Sequence, residues 1–185
     1  MPSMLSLIHK YIQFATLVNQ VIGKSIPWLC LLMVLITFTV VVLRYAFNFG
    51  NIALQESIIY MHASVFMLAA AYTLNREQHV RVDIFYHKFT KHRKAWVNIV
   101  GTLLFLLPLS GFILWSSSEY VITSWTLREG SREAGGLPYV YLLKSNILAF
   151  AILLIIQGLS DLFKNILIIL NLDSPVDRSR QVVTH

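Results

Sequence analysis

Charged residues and cysteine are scarce in this 185-residue sequence. Asp, Glu, Lys and Arg together make up 13% of it, against roughly 25% in soluble domains, and 56% of the residues are hydrophobic. A soluble particle of this size could not bury so much apolar surface, which excludes a soluble enzyme and a disordered chain. Cys30 is the single cysteine, which excludes a disulfide framework and a thiolate metal cluster. The composition is that of a membrane protein.

Four long windows with few or no charges predict an all-α membrane protein with four transmembrane helices. A helix needs about 20 apolar residues to cross about 30 Å of hydrocarbon, and it satisfies its backbone groups without water. The predicted spans are about 25–43, 57–75, 95–118 and 140–163. Three tryptophans lie where interfacial aromatic belts are expected: Trp28, Trp96 and Trp115. The last helix is expected to continue as an amphipathic extension that carries Asp161 and Lys164.

The sequence divides into an amphipathic N-terminal arm, 1–24, a four-helix transmembrane domain, 25–170, and a polar cytoplasmic tail, 171–185. In the arm, polar residues recur every three or four positions, as in a helix that lies in the headgroup plane. They are Ser6, His9, Gln13, Thr16, Gln20 and Lys24. The apolar run that follows is longer than the about 7–15 residues of a signal peptide, so we expect no cleavage.

The basic residues predict the orientation of the spans. Eleven of the 15 Lys and Arg residues lie in the arm, in the segment 76–94 or after residue 163, and the positive-inside rule assigns these regions to the cytoplasm. Both termini are therefore expected inside, with the loops 44–56 and 119–144 facing outward. The same asymmetry accounts for the net charge of +6. We accordingly expect membrane lipids, and no nucleic acid, as anionic partners.

The predicted spans lack the groups that would move a solute or catalyse a reaction. No Asp, Glu, Lys or Arg lies in the middle of a span, and there are no repeated halves with paired helix breaks. The serines of the third span have no obvious base and orienting group. The chain is therefore expected to be neither an enzyme nor a transporter by itself, and no metal site is predicted.

His62 is the one histidine well inside a predicted span. Haem ligation is one interpretation, because a haem-binding membrane anchor subunit of an oxidoreductase can hold haem between two axial histidines of a small bundle. A second histidine within a span is missing. The other interpretation is a hydrogen bond from His62 to a neighbouring helix. A Soret band in the purified protein would favour haem.

Two short motifs flank the second span. The first span ends in Arg44-Tyr45-Ala46-Phe47-Asn48, and Glu56 opens the second span, so an ion pair between Arg44 and Glu56 at the membrane edge is a hypothesis. The second span is followed by His79-Val80-Arg81-Val82-Asp83. Asp83 is expected to cap a short surface helix that runs through Phe89.

A third motif precedes the fourth span. Its Gly135-Gly136-Leu137-Pro138 sequence predicts a turn that presents a charged group outward. That group consists of Arg128, Glu129, Arg132 and Glu133. A solvated loop and a docking surface are both compatible with this pattern, because isolated surface charges contribute little to stability.

Together these motifs, in this order, resemble the DctQ-like small membrane subunit of tripartite ATP-independent periplasmic (TRAP) transporters, over roughly residues 26–164. The resemblance implies a bacterial inner-membrane complex in which a periplasmic binding protein delivers an organic anion, often a carboxylate, to a large multi-span subunit. Sodium is expected in that large subunit and no cofactor in this chain. The small subunit would act as a scaffold and would help to dock the binding protein.

The resemblance also suggests roles for the charged motif residues. The loop Arg128, Glu129, Arg132 and Glu133 is the candidate docking site for the binding protein. Candidate structural or partner contacts are Arg44, Glu56, His79, Arg81 and Asp83. A role in folding and topology alone is the alternative for Arg44, Glu56 and Asp83. The haem-binding anchor subunit is the alternative function from a different class.

Overall fold

The computed structural model describes residues 2–75 and 89–172. The described helices, which we number α1 to α5, are α1 Pro2–Phe47, α2 Ile52–Asn75, α3 Lys91–Gly101, α4 Leu107–Thr126 and α5 Val140–Ile169, with a π-helical turn at Thr102–Leu106 between α3 and α4. These ranges contain no strand, so the all-α prediction is confirmed for them. The candidate contacts His79, Arg81 and Asp83, the helix that Asp83 was expected to cap, and the tail from residue 173 lie outside the described residues.

Within the described residues, four helical stretches are long and apolar enough to cross a membrane: Met4–Phe47, Ile52–Leu74, Lys91–Thr126 and Val140–Ile169. Each corresponds to one predicted span and extends beyond it on at least one side; the second stretch ends one residue before the predicted end at 75. The chain is therefore a multi-pass membrane protein.

The N-terminal arm and the first span form one continuous helix, α1, which includes Pro27. Its 46 residues make it about 69 Å long, more than twice the hydrocarbon thickness of about 30 Å. The arm is helical as predicted, and one face of it packs on α5. Ala15 and Asn19 are fully buried there, and the Tyr11 hydroxyl donates to the Ile156 carbonyl at 3.1 Å.

A short hairpin joins α1 to α2. Asn48 adopts a left-handed conformation with φ 51°, which ends α1. Asn51 then caps α2, because its side-chain oxygen accepts the Leu54 N–H at 3.0 Å. These two asparagines end one span and begin the next within four residues.

The third span accommodates a proline through a local change of helix type. Pro108 has no N–H, and its ring crowds the carbonyl four residues earlier. The π-helical turn Thr102–Leu106 lies immediately before it and widens the helix there. α3 and α4 thus continue as one helical stretch.

Helix α5 is the centre of the described fold, since it packs against each of the other four described helices. The pair α1–α2 packs on α5, and α3 and α4 pack on it as well. Ala151, Leu153 and Leu154 of α5 are buried, and the last two cluster with Ala71 of α2. The end of α5 also packs inside the protein, because Asn165 and Leu167 are buried.

Candidate functional site

A polar site joins the start of α2 to the loop between α4 and α5, residues 127–139, which we call the α4–α5 loop. The Glu56 carboxylate accepts two hydrogen bonds from this loop. Its Oε1 accepts from the Ser131 hydroxyl, and its Oε2 accepts from the Leu137 N–H at 2.6 Å. One carboxylate therefore holds both sides of the loop against α2.

Gly136 lets the loop approach Glu56 this closely. A Cβ built on Gly136 would lie 2.8 Å from Glu56 Oε1 and would also overlap the Ser131 hydroxyl. The loop adds its own bonds: the Ser131 N–H donates to the Leu137 carbonyl at 3.0 Å, and the Glu133 N–H donates to Ser131 Oγ at 3.1 Å. The Gly-Gly-Leu-Pro sequence forms a turn as predicted, and that turn is anchored.

The base of the loop is held by an ion pair. Glu129 Oε2 accepts from the Lys144 ammonium group of α5 and from the Ser124 hydroxyl of α4, at 2.6 Å for Ser124. The Lys144 ammonium also lies 3.8 Å from the centre of the Tyr120 ring. Because Lys144 and Ser124 donate to its carboxylate, the pKa of Glu129 is held below its usual value. Glu129 is thus a structural residue of the α4–α5 junction.

The pair lies beside a polar cleft of about 390 Å³. The cleft is lined by Ser116, Glu119, Tyr120, Thr123, Ser124, Glu129 and Lys144. Both members of the ion pair therefore border an open cleft.

The remaining charged residues of the loop are exposed. Arg128 has a left-handed backbone with φ 44° and ends α4, while the Glu129 N–H donates to the Ser124 carbonyl at 3.0 Å across it. Arg132 and Glu133 are exposed at the tip, next to Ala134 and Gly135. Three of the four predicted docking residues are therefore exposed, and Glu129 differs because it pairs with Lys144.

The hypothesised ion pair between Arg44 and Glu56 is wrong for this structure. Both residues are described, yet no ion pair joins them; Glu56 bonds to Ser131 and Leu137, and Arg44 is exposed. The Glu56 carboxylate instead accepts hydrogen bonds from donors that lie 75 and 81 residues away along the chain.

The three tryptophans that were expected at the membrane interface are exposed. Trp28, Trp96 and Trp115 are exposed at 71%, 57% and 76%, and their role at the membrane interface stays a prediction.

A buried polar chain was missed at the other end of the helices. Asn19 Nδ2 donates to Gln157 Oε1 at 2.7 Å, and Gln157 Nε2 donates to Asp161 Oδ1 at 2.9 Å. Lys164 donates to the same oxygen at 3.2 Å, and Asn98 of α3 donates to Asn165 of α5 at 3.3 Å. The signal in the sequence was the presence of Asn and Gln side chains within apolar segments, where they commonly hydrogen-bond between helices. The prediction considered only charged residues in the spans and therefore missed the network.

His62 does not form the predicted bond to a neighbouring helix. Its side chain is exposed on α2, and within residues 2–75 and 89–172 it has no hydrogen-bond partner. Nor do these ranges contain a group of three His, Cys, Asp or Glu residues that could hold a metal ion. The outer face of α2 thus carries an unsatisfied polar side chain.

Comparison with known proteins agrees with this architecture. The family described as "Tripartite ATP-independent periplasmic transporters, DctQ component" matches residues 33–167. A Haemophilus influenzae protein, named as a candidate TRAP transporter small permease protein, is 28% identical over 137 residues, which cover 72% of this chain and 85% of that protein. No solved structure matches the chain significantly. DctQ components are parts of transporters and are not enzymes. The chain therefore belongs to the DctQ family of small TRAP transporter membrane subunits.

Proposed function

We propose that this chain is a fixed scaffold subunit that packs against the large membrane subunit and helps to dock the periplasmic binding protein. In this proposal the large subunit couples uptake of an organic anion, with carboxylates as the expected class, to the entry of sodium. The chain itself binds neither the sodium ion nor a cofactor. This division of labour fits helices that have no acidic or basic residue in the middle of a span.

We further propose that the protein lies in the bacterial inner membrane with both termini in the cytoplasm. The positive-inside rule supports this orientation, because most of its basic residues lie in the arm, the segment 76–94 and the tail. The α4–α5 loop then faces the periplasm, on the side from which a binding protein would arrive.

The single observation that carries the docking proposal is the attachment of the α4–α5 loop to Glu56. A loop fixed by two bonds to one carboxylate and by a base ion pair presents its tip in one orientation. When the binding protein docks, the loop tip does not have to become ordered first. The free energy of docking is therefore not reduced by the entropy cost of ordering the tip. Arg132 and Glu133 at this tip are the proposed contacts.

Reconstitution of the transporter in liposomes tests the proposal. The large subunit and the binding protein are assayed with and without this chain, with a panel of radiolabelled carboxylates and an inward sodium gradient. We expect uptake only when all three proteins are present, and none from this chain alone. Uptake by this chain alone, or full uptake without it, would contradict the scaffold function.

A further inference from the structure

His62 gives one exposed face of α2 a polar side chain that has no hydrogen-bond partner in the described chain. The exposed residues of α2 beyond its first turn are Gln55, Ile59, His62 and Phe66, spaced four, three and four residues apart. This spacing puts them on one side of the helix, which we call the α2 stripe. Ile59 is 59% exposed and Phe66 is 72% exposed.

The depth of His62 makes its exposure costly. It lies six residues after Glu56, which opens the predicted span, or about 9 Å into a hydrocarbon layer of about 30 Å. A short imidazole does not reach the headgroups from that depth. Its N–H donor and ring-nitrogen acceptor would both be unsatisfied in lipid, which is unfavourable for any polar group.

Several other polar side chains on these helices avoid this cost by bonding to their own backbone. His9 Nδ1 lies 2.7 Å from the Leu5 carbonyl oxygen, and the Ser64 hydroxyl donates to the Tyr60 carbonyl at 2.9 Å. On the exposed outer part of α1, the Thr37 hydroxyl donates to the Met33 carbonyl at 2.7 Å. His62 has no such bond within the described chain. The faces that carry these hydrogen-bonded side chains can therefore contact lipid without leaving a polar group unsatisfied, whereas the α2 stripe cannot.

We infer that the α2 stripe is the surface that contacts the large subunit inside the membrane, and that His62 hydrogen-bonds there to a polar group on one of that subunit's helices. This inference rests on the proposed function. The partner helix presents one hydrogen-bonding side chain or free carbonyl at the depth of His62, with apolar residues on either side to pack on Ile59 and Phe66. Ionisable groups within spans commonly serve such roles.

Photo-crosslinking in membranes that contain the whole transporter tests the location. A benzophenone amino acid replaces Phe66 in one variant and Phe112 of α4, which is 60% exposed, in the matched control. We expect the position 66 variant to give an adduct that contains both this chain and the large subunit, and the position 112 variant to give none. An adduct of two copies of this chain, or only lipid adducts at position 66, would overturn the inference.

The hydrogen bond is tested by substituting His62 itself. His62→Leu removes the polar group, whereas His62→Gln keeps a donor and an acceptor at a similar reach. Since hydrogen bonds between membrane helices contribute modestly, we expect His62→Leu to lower the retention of the large subunit in mild detergent by about threefold, and His62→Gln to restore most of it. Equal retention by His62→Leu and the wild type would overturn the bond.

The two proposals fail in different ways. If the wild-type chain does not purify with the large subunit at all, the proposed function is wrong. If it does so while position 66 gives no adduct with that subunit, the scaffold function stands and the α2 stripe is not the contact surface.

Discussion

Asn19 of α1 and Gln157 of α5 are both fully buried and are joined by a 2.7 Å hydrogen bond between their side chains. The bond links the N-terminal arm to the central helix across 138 residues of sequence. Gln157 continues it to Asp161, so that the arm is tied to the charged end of α5. The arm is thus an integral part of the bundle in addition to any contact it makes with lipid headgroups.

We predict that Asn19→Leu destabilises the protein by about 0.6–1.7 kcal/mol, because hydrogen bonds between membrane helices average about 0.6 kcal/mol and reach about 1.7 kcal/mol in double-mutant cycles. The loss leaves the Gln157 oxygen without its donor. A double-mutant cycle with Gln157→Leu, followed by unfolding in a denaturing detergent, measures the coupling. Thr37→Val is the control, because that hydroxyl bonds to its own helix and is exposed. Additive effects of the two Leu substitutions would contradict the coupling.

Gly136→Ala is expected to detach the α4–α5 loop from α2. The new Cβ would displace the Glu56 carboxylate and the Ser131 hydroxyl, and bonds to a charged acceptor are worth about 1.5–3 kcal/mol. Hydrogen exchange at the Leu137 amide should then accelerate by about tenfold to a hundredfold.

Gly130→Ala is the matched control in the same loop. A Cβ at Gly130 would approach Pro138 Cα at 3.4 Å, an ordinary contact. Its exchange at Leu137 should equal that of the wild type. Glu56→Gln should resemble Gly136→Ala, since an amide offers one acceptor oxygen where the loop uses two. Unchanged exchange in both Gly136→Ala and Glu56→Gln would show that Glu56 does not hold the loop.

Features that depend on nearby residues could be predicted from the sequence, and pairs formed by helix packing could not. The uncharged windows and the Gly-Gly-Leu-Pro turn depend on local composition and backbone preference, and both were predicted. The partners of Glu56 and Asn19 depend on how the helices rotate and pack. Such pairs are separated by 75 to 138 residues and leave no periodic pattern in the chain.

The Glu129–Lys144 pair should make stability depend on pH. The bonds from Lys144 and Ser124 lower the pKa of Glu129 in the folded state relative to the unfolded state. Ionised Glu129 therefore stabilises the fold above its ordinary pKa, and this contribution is lost as the pH falls through the lowered value.

The prediction is measured from thermal midpoints between about pH 7 and about pH 3. Glu129→Gln should unfold at a lower temperature than the wild type at pH 7, and the two should converge at the acid end. Glu133→Gln, which changes an exposed residue at the loop tip, should run parallel to the wild type. A constant gap between Glu129→Gln and the wild type at every pH would contradict the assignment.

Thiol labelling tests the proposed orientation. Ala134 is exposed at the loop tip and Thr90 is exposed before α3, so each accepts a cysteine without loss of a buried contact. With Cys30 replaced by alanine, Ala134→Cys should react with an impermeant maleimide added from the periplasm. Thr90→Cys should react only after the membrane is opened. The reverse pattern would invert the topology and put the α4–α5 loop in the cytoplasm.

Charge reversal at the loop tip tests the proposed docking contacts. Glu133→Lys changes the exposed tip by two charges without disturbing the Glu129–Lys144 pair, unlike a change at Glu129. Exposed pairs contribute about 0.2–1 kcal/mol, so uptake at limiting binding protein should fall by up to about fivefold. Rim charges act mainly on the association rate, so excess binding protein should restore uptake and added salt should reduce the difference.

Glu119→Lys makes the same charge change at an exposed position on α4, away from the loop tip. Because Glu119 lines the cleft beside the Glu129–Lys144 pair, this variant serves as the control once its thermal midpoint is shown to equal that of the wild type. It should leave uptake at limiting binding protein close to that of the wild type. A general electrostatic effect of the protein's field would instead lower uptake in both variants, because a screened potential still extends about 8 Å at physiological ionic strength. A selective loss in Glu133→Lys therefore identifies direct contact at the tip, whereas wild-type uptake in an intact complex would remove Glu133 from the docking surface.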